Sequence, residues 1–243
     1  MCGRFVLDRK TADLVGLFDV DKYGDDLPKP SWNIAPTQAI RVVIDSLPKA
    51  TDDEPFPEPL RRLEAARWGL VPGWAKDPSD GPPLFNARGE DAVTHPSFAN
   101  AVKKRRAVVP ATGYYEWRVV DGARVPQFIS LPGDELLVFA GLYEWWRNPA
   151  AADDAPDRWL LSASILTRPS SGSPADIHDR MPVFLDADLV ESWLDPQEEG
   201  DQELVDEAFA GAGEVAARMQ FHEVGGAVES AQNDGEQLTE PVA

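Results

Sequence analysis

Residues 113–130 read GYYEWRVVDGARVPQFIS, and the fold can be worked out from this stretch. Its first part, residues 113–119, is rich in the aromatic and β-branched residues that favour strands. Asp121-Gly122 is a dipeptide that favours a two-residue hairpin turn, and residues 125–130 supply a returning strand. The stretch therefore predicts an antiparallel β-hairpin.

Short apolar stretches on both sides of the hairpin predict further strands, at residues 39–44, 63–70, 107–110, 136–145 and 159–166. Helical spacing of apolar residues is rarer, and occurs at residues 8–20, 96–104, 186–194 and 201–210. Many short strands and few helices indicate an α+β protein. We expect a single compact domain over residues 1–243, with a curved, mostly antiparallel, barrel-like β core, flanking helices and a loose C-terminal tail.

Composition excludes several classes of protein. Hydrophobic residues make up 43% of the 243 residues, which is enough to form a core. No apolar run approaches the roughly 20 residues of a transmembrane helix, and the N-terminus does not resemble a signal peptide. A single cysteine fits a reducing cytoplasm. The three histidines are scattered without zinc-type spacing, so we expect a cytoplasmic protein with no metal and no cofactor.

The charge is strongly acidic, with 42 acidic and 23 basic residues and a formal net charge of −19. This sign is wrong for a nucleic-acid-binding protein, because non-specific affinity comes mainly from lysine and arginine on phosphates. Either the partner is not nucleic acid, or the acidity is a solvation adaptation laid over a local basic site. A solvation adaptation of this kind resembles that of proteins of salt-loving microbes, where strong salt screens long-range electrostatic interactions within a few Å. Net charge alone therefore does not decide the partner.

Cys2 is the sole cysteine and directly follows Met1. Removal of Met1 would leave an N-terminal cysteine with a free amine beside its thiol, whose ordinary pKa values are about 7.7–8.0 and 8.5. A 1,2-aminothiol condenses with an aldehyde to a Schiff base and then closes a thiazolidine ring. A lone thiol would instead be a candidate acyl-transfer nucleophile. The alternative is a buried, inert cysteine, as most free cysteines are.

Two residues are candidates for proton transfer. Glu116 lies between two aromatic residues in a strand, where an apolar environment suits a general acid or base. Strand alternation offers the other interpretation, with the aromatic neighbours inward and Glu116 in water. His178 suits proton transfer at neutral pH, but it is equally compatible with a structural histidine bonded to the backbone.

Other polar and aromatic residues suggest a ligand with phosphates and bases. Asn86 and Arg88 lie at the end of a long loop, where arginine suits phosphate binding. The run Lys103-Lys104-Arg105-Arg106 breaks the acidic composition and is a second candidate for phosphate contact. Trp68 and Trp74 flank a Gly- and Pro-containing loop, which favours contact with a base. Tryptophans are nevertheless more often core residues than stacking platforms.

Six motifs occur in one order along the chain: MCGRF, WNIAPTQ, WGLVPGWAKD, FNARGE, VVPATGYYEW and IHDRMPVFL. Together they resemble the SOS response-associated peptidase (SRAP) family, the abasic-site DNA–protein crosslinking proteins. The resemblance runs from Cys2 to about Pro241. It implies a β-rich core flanked by helices and a positive groove for single-stranded DNA. Such proteins bind an abasic site, and their N-terminal cysteine forms a thiazolidine with the aldehyde of the ring-opened sugar.

The resemblance also implies roles for individual residues. Cys2 matches the covalent nucleophile, Asn86 the residue that holds the amine and the sugar, Glu116 the proton-transfer carboxylate, and His178 the histidine that assists Schiff-base formation and ring closure. The matches to phosphate contacts are Arg4, Arg88 and Arg180, and those to the groove lining are Pro36, Trp68, Trp74, Trp117 and Thr167. We expect a monomer whose partner is single-stranded DNA with an abasic site. The stretch 225–232 departs from the family by being poor in Arg, Lys and Asn and by carrying Glu229.

Two other functions stay open at this point. The first is a cysteine peptidase, with Cys2 as nucleophile supported by His178 or Glu116, acting on peptides or on its own Met1 alone. No oxyanion-hole motif is visible in the sequence. The second is a non-enzymatic single-strand binder that uses only tryptophan and arginine, which leaves the position of Cys2 unexplained.

Overall fold

The computed structural model describes residues 2–50, 57–133 and 135–242. In chain order, these residues form the following strands and α-helices: β1 (Arg4–Leu7), α1 (Thr11–Leu17), β2 (Lys22–Tyr23), β3 (Ser31–Ile34), β4 (Ala39–Ser46), β5 (Leu60–Trp68), β6 (Asn86–Arg88), α2 (Gly89–Ala92), α3 (Ala99–Lys104), β7 (Arg106–Ala111), β8 (Gly113–Val120), β9 (Ala123–Ser130), β10 (Leu137–Arg147), β11 (Trp159–Pro169), β12 (Arg180–Pro182), α4 (Ala187–Leu194), α5 (Gln202–Ala217) and β13 (Gln220–Glu223).

Five strands close into a barrel in the order β11, β10, β7, β4, β5 and back to β11. Four of these pairings are antiparallel, and the closing contact of β5 with β11 is parallel, with Arg67 opposite Ser162. Closure removes the free edges that an open sheet would expose. Aliphatic and aromatic side chains such as Ile40, Val108 and Phe139 fill the core and are fully buried. The predicted α+β class with a barrel-like core is confirmed.

A second sheet, in the order β13, β9, β8, β1 and β3, contains the predicted hairpin. β8 and β9 pair in antiparallel register, and Asp121 and Gly122 between them both have positive φ, at 50° and 81°. Positive φ at both central positions is the geometry that matches the strand twist in a two-residue hairpin. A side chain at Gly113 would run into the Phe128 ring, at 2.3 Å, so only glycine fits the start of β8.

The helices are positioned by their caps and apolar faces. The Asp186 carboxylate accepts a hydrogen bond from the Leu189 backbone N at 2.9 Å, as expected for the cap of α4. The first predicted helix, residues 8–20, is shorter, because α1 spans Thr11–Leu17. Leu14 is buried in the core, whereas Leu17 is 58% exposed. The helix predicted at residues 201–210 continues to Ala217.

Two segments outside the predicted strands and helices are ordered by strand pairing. Ser31–Ile34 is strand β3, with Ile34 opposite Phe5. The C-terminal residues up to Val242 are not a loose tail. Pro241 pairs with Val224, and the Val242 backbone N donates to the Glu223 carbonyl at 3.0 Å. Within the described ranges, no helix is both long and apolar enough to cross a membrane.

Candidate functional site

Cys2 lies immediately before β1 and is fully buried in the main hydrophobic core. Its Sγ donates a long hydrogen bond of 3.9 Å to the Arg4 carbonyl. Burial raises the pKa of the Cys2 thiol, and the negative charge of Glu116 raises it further. The resting thiol is therefore protonated at neutral pH and must lose its proton to act as a nucleophile.

Asn86 connects the end of the long 69–85 loop to Cys2. It is the first residue of β6, and its pairing with Ile165 of β11 fixes its place beside the barrel. The Asn86 Nδ2 donates to the Cys2 carbonyl at 2.8 Å. Its Oδ1 is buried and has no hydrogen-bond partner among the described residues. The amide thus holds the Cys2 backbone and keeps one acceptor for another donor.

Glu116 is 4% exposed, which decides between the two interpretations of its strand. Tyr114 and Glu116 are two residues apart on β8 and therefore lie on the same face of the sheet. Tyr115 faces the opposite side and packs in a separate apolar cluster with Val6 and Phe128. The interpretation in which Glu116 points to water is wrong. Its carboxylate lies close enough to Cys2 to raise the pKa of the thiol.

His178 is partly exposed and follows the 3₁₀ turn Ser173–Asp176. Its Nδ1 lies 3.0 Å from the Arg180 backbone N and 2.8 Å from the Asp179 Oδ1. A backbone N–H can only donate, so Nδ1 is an acceptor and the ring proton resides on Nε2 in the neutral tautomer. The Arg180 backbone and the Asp179 carboxylate therefore fix the orientation of the ring.

An open cleft of about 560 Å³ brings five of the predicted residues together. Its lining consists of Gly3, Arg4, Pro36, Glu116, Trp117, Arg124, His178 and Glu229. Arg124 was not predicted from the sequence. It lies on β9 opposite Val119, and its guanidinium carbon is 5.4 Å from the centroid of the Trp117 ring. The sequence signal that could have identified it is an arginine on the second strand of a hairpin whose first strand contains a tryptophan.

Pro36 is presented to the cleft by a strained turn. Thr37 has a φ of 75°, which is unfavourable for a β-branched residue. Its backbone N donates to the Trp68 carbonyl at 2.7 Å, and the Trp68 N donates back to the Gln38 carbonyl at 2.8 Å. These bonds to the barrel hold the turn in place.

Arg4 and Arg180 are held in different ways. The Arg4 guanidinium donates to the Asn33 Oδ1 at 2.9 Å and to the Val228 and Glu229 carbonyls at 2.7 and 3.0 Å. These acceptors are neutral amide oxygens, so they position the guanidinium without cancelling its charge. Burial lowers the pKa of Arg4, but arginine stays charged at neutral pH.

The Arg180 guanidinium is held by a carboxylate and by Thr167. Both of its terminal nitrogens contact the Glu90 carboxylate, and Nη2 also donates to the Thr167 carbonyl and hydroxyl at 2.8 and 3.0 Å. The Arg180 charge lowers the pKa of Glu90. Any phosphate that binds Arg180 therefore competes with an ionised carboxylate.

Three predicted groove residues, Trp68, Trp74 and Thr167, do not line the cleft. Trp68 is fully buried, packs edge-on against Phe5 and donates from Nε1 to the Phe85 carbonyl at 2.9 Å, so it is a core residue. Thr167 is also fully buried and supports Arg180 from behind. Trp74 is 70% exposed and Arg88 is exposed, and their predicted contacts with a ligand stay predictions.

The basic run at residues 103–106 is structural to a large extent. Arg106 is 3% exposed and donates to five backbone carbonyls at the C-terminal ends of α3 and α4 and beyond. Arg105 pairs with Glu144 at 2.6 Å, and Lys103 with Glu199 at 3.2 Å. The phosphate contact suggested for the run is therefore not available to Arg106.

A second cleft, of about 740 Å³, lies between α1, α4 and the start of β10, and it shares no lining residue with the first. The Arg218–Glu135 ion pair lies at this cleft. In the described parts of the chain, no cluster of three or more His, Cys, Asp or Glu side chains could hold a metal ion.

Comparison with known proteins identifies relatives of the whole chain. It is 36% identical over 202 residues to the abasic site processing protein YoqW of Bacillus subtilis, covering 81% of each protein. It is 28% identical over 246 residues to the abasic site processing protein YedK of Escherichia coli, covering both completely. A crystal structure of a Bacteroides thetaiotaomicron protein shares the fold over both full lengths, with a TM-score of 0.75 and 17% identity.

A family model provides the broader assignment. The model described as SOS response associated peptidase (SRAP) matches residues 1–231. This range contains Cys2, Asn86, Glu116 and His178. The match extends over nearly the entire sequence, and the chain therefore belongs to the SOS response associated peptidase (SRAP) family.

Proposed function

We propose that this protein binds abasic sites in single-stranded DNA and joins Cys2 covalently to the ring-opened deoxyribose after Met1 has been removed. Its relatives YoqW and YedK are named abasic site processing proteins, which supports this class of substrate. The observation that carries the proposal is the convergence of Cys2, Asn86 and Glu116 beside one open cleft. The ring-opened sugar supplies the aldehyde that a 1,2-aminothiol requires.

The chemistry proceeds in two steps. The Cys2 amine adds to C1′ of the sugar, and the resulting carbinolamine loses water to give a Schiff base. The thiol then gives up its proton while Sγ forms a bond to C1′, and the electron pair of the C=N bond returns to nitrogen, which takes up a proton. The product is a five-membered thiazolidine, and the net release is one water molecule.

The surrounding side chains have separate roles in these steps. Asn86 holds the Cys2 backbone through its Nδ2 and offers its buried Oδ1 to the amine. Glu116, buried next to Cys2, transfers protons to the departing water and from the thiol. His178 lies on the lining of the same cleft and exchanges a proton at the sugar oxygen through Nε2.

DNA is held by charge and by stacking. Arg4, Arg88 and Arg180 contact phosphates, and Trp117 and Pro36 contact the base or sugar next to the lesion. Trp74, exposed on its loop, provides a further stacking surface. All of these groups come from one chain, so a monomer suffices for the reaction.

A cysteine peptidase is the competing function, with Met1 as its simplest substrate. Peptidases of this type use a thiolate that a cationic or polar neighbourhood stabilises. Burial and the nearby Glu116 carboxylate instead raise the pKa of the Cys2 thiol. This environment is less suited to acyl transfer than to a reaction in which the amine attacks first.

The test is a crosslinking assay on denaturing gels with a single-stranded oligonucleotide that carries one abasic site. We expect a heat-stable adduct with the wild type, none with Cys2→Ala, and a slower reaction with Glu116→Gln. Glu135→Gln, in the second cleft, is the matched control and should behave as the wild type. Intact mass should show loss of Met1 and an adduct equal to protein plus oligonucleotide minus one water.

An oligonucleotide with a tetrahydrofuran abasic analogue has no aldehyde and should bind without crosslinking. The proposal is refuted if the wild type, shown by mass to lack Met1, forms no adduct with the aldehyde-containing site. It is equally refuted if Cys2→Ala forms the same adduct. Cleavage of peptides by a protein that ignores the abasic site would favour the peptidase.

A further inference from the structure

Tyr114 is a buried titratable residue for which the chemistry above has no use. Its side chain is 1% exposed, and its hydroxyl has no hydrogen-bond partner among the described residues. Its ring packs against Phe139 and Phe184, with centroid distances of 6.2 and 6.1 Å. A buried hydroxyl without a partner is costly in a folded protein and requires an explanation.

The position of Tyr114 links it to the reacting groups. It lies opposite Phe5 of β1, the strand that Cys2 precedes, and it belongs to the same core cluster as Cys2. It shares a face of β8 with Glu116. Burial raises the pKa of the Tyr114 phenol, and negative charge on an ionised Cys2 thiolate or on Glu116 raises it further. The hydroxyl, the thiol and the carboxyl therefore influence one another in a single water-poor region.

We propose that the Tyr114 hydroxyl is a hydrogen-bond donor reserved for the Cys2 sulfur during ring closure. This inference rests on the proposed function. In that step the thiol proton passes to the Glu116 carboxylate, Sγ bonds to C1′ of the Schiff base, and the C=N electron pair returns to nitrogen. Tyr114 keeps its own proton and donates a hydrogen bond to Sγ while the sulfur carries negative charge.

The resting geometry is compatible with this role. Sγ points to the Arg4 carbonyl through a weak 3.9 Å contact, so rotation about the Cys2 side chain can release it. A donor that is already in place and does not have to leave water stabilises developing charge effectively. Phenylalanine would fill the same space without an unsatisfied hydroxyl. The unsatisfied hydroxyl is therefore explained if its hydrogen-bond acceptor is the Cys2 sulfur, which reaches it only during the reaction.

Tyr114→Phe and Tyr115→Phe form a matched pair that tests the proposal. Tyr115 is the next residue, faces the other way, and donates from its hydroxyl to the Trp32 carbonyl at 2.9 Å. Tyr114→Phe removes an unsatisfied group and should raise the urea midpoint of unfolding. Tyr115→Phe removes a made hydrogen bond and should lower it. Only Tyr114→Phe should slow ring closure.

The readout separates the two chemical steps. Each protein is mixed with an abasic single-stranded oligonucleotide, quenched with borohydride at intervals, and analysed by mass to distinguish reduced Schiff base from thiazolidine. For Tyr114→Phe we expect ring closure to be slower by about tenfold or more, with accumulation of the trappable Schiff base. The rise of its rate with pH should shift to higher pH, because the sulfur then lacks the hydroxyl donor that stabilises its negative charge, while the Glu116 carboxylate beside it remains.

Two results would overturn the inference while leaving the proposed function intact. One is a Cys2-dependent adduct that Tyr114→Phe forms at the wild-type rate with the wild-type pH profile. The other is slowing in both variants alike, which would indicate a general packing effect. Absence of any Cys2-dependent adduct in the wild type would overturn both the inference and the proposed function.

Discussion

Glu90→Gln should tighten the binding of DNA, because it removes the group that competes with phosphate for Arg180. Both terminal nitrogens of Arg180 contact the Glu90 carboxylate. Its hydrogen bonds to the carbonyl and hydroxyl of Thr167 leave the guanidinium charge intact. Glutamine has nearly the same shape as glutamate and removes only the charge.

The size of the effect follows from the geometry of the pair. Opposite unit charges about 4 Å apart attract by about 4 kcal/mol at an effective dielectric constant of about 20. The Glu90 side chain is 39% exposed, whereas that of Arg180 is 10% exposed. Solvent screening of such a pair leaves about 1 kcal/mol, which corresponds to about a fivefold lower Kd. Because one more cation becomes available to phosphate, the salt dependence of binding should steepen by about one ion.

The assay is fluorescence anisotropy with a labelled single-stranded oligonucleotide that carries the tetrahydrofuran analogue, which prevents crosslinking. Glu135→Gln is the control, since it makes the same charge change and breaks an Arg–Glu pair at the second cleft. We expect tighter binding and a steeper salt slope for Glu90→Gln alone. Unchanged or weaker binding by Glu90→Gln would refute the idea that Glu90 competes for Arg180, and equal gains in both variants would indicate a net-charge effect.

Three further predictions concern the buried arginine, the two tryptophans and acid stability. Arg106→Met should cost about 3–5 kcal/mol in urea unfolding, because five buried or part-buried hydrogen bonds to carbonyls lose their charged donor, whereas the exposed Lys104→Met should change stability by less than about 0.5 kcal/mol. Trp117→Ala should weaken binding of the tetrahydrofuran oligonucleotide by about 1–3 kcal/mol, while Trp68→Ala should chiefly lower stability, by about 3–5 kcal/mol. Arg61 lowers the pKa of Glu191, so this pair stabilises the fold above the unfolded glutamate pKa of about 4.3. Its contribution is lost as pH falls through the lowered value, and the stability difference between wild type and Glu191→Gln should shrink towards zero there.

Local signals in the sequence predicted much of the fold. The hairpin of β8 and β9 is specified by adjacent residues, including the turn at Asp121-Gly122, so no distant information is needed. β3 was missed because its polar and turn-forming residues become a strand only by pairing with β1. Closure of the barrel depends on a parallel contact of β5 with β11, which are far apart in the chain. A pairing between distant strands does not change the residue pattern of either strand, so that pattern cannot predict it.

The candidate site shows the same limit. Cys2, Asn86, Glu116 and His178 attracted attention for their chemistry, but four separate stretches cannot reveal by themselves that they converge. Trp68 was misassigned because an aromatic residue beside a Gly- and Pro-containing loop can face either the core or the ligand. The resemblance to a family implied that Thr167 lines the groove, whereas the structure buries it, with its hydroxyl accepting from Arg180. Whether a side chain is exposed depends on how the folded chain packs around it, and the sequence pattern did not predict this for Trp68 and Thr167.

The acidic charge and the proposed DNA contact can be reconciled by how the arginines are held. Arg61 and Arg105 are bound by carboxylates, so their charges are largely cancelled locally. In the cleft, Arg4 is held by neutral oxygens and Arg124 stacks on Trp117, and neither contact removes positive charge. At about 1 M salt the Debye length is about 3 Å, so distant acidic residues act little on a bound phosphate while direct contacts persist. A chain with a net charge of −19 can thus present cationic groups to the proposed DNA at this cleft, because neutral partners position Arg4 and Arg124, although Glu116 and Glu229 also line it.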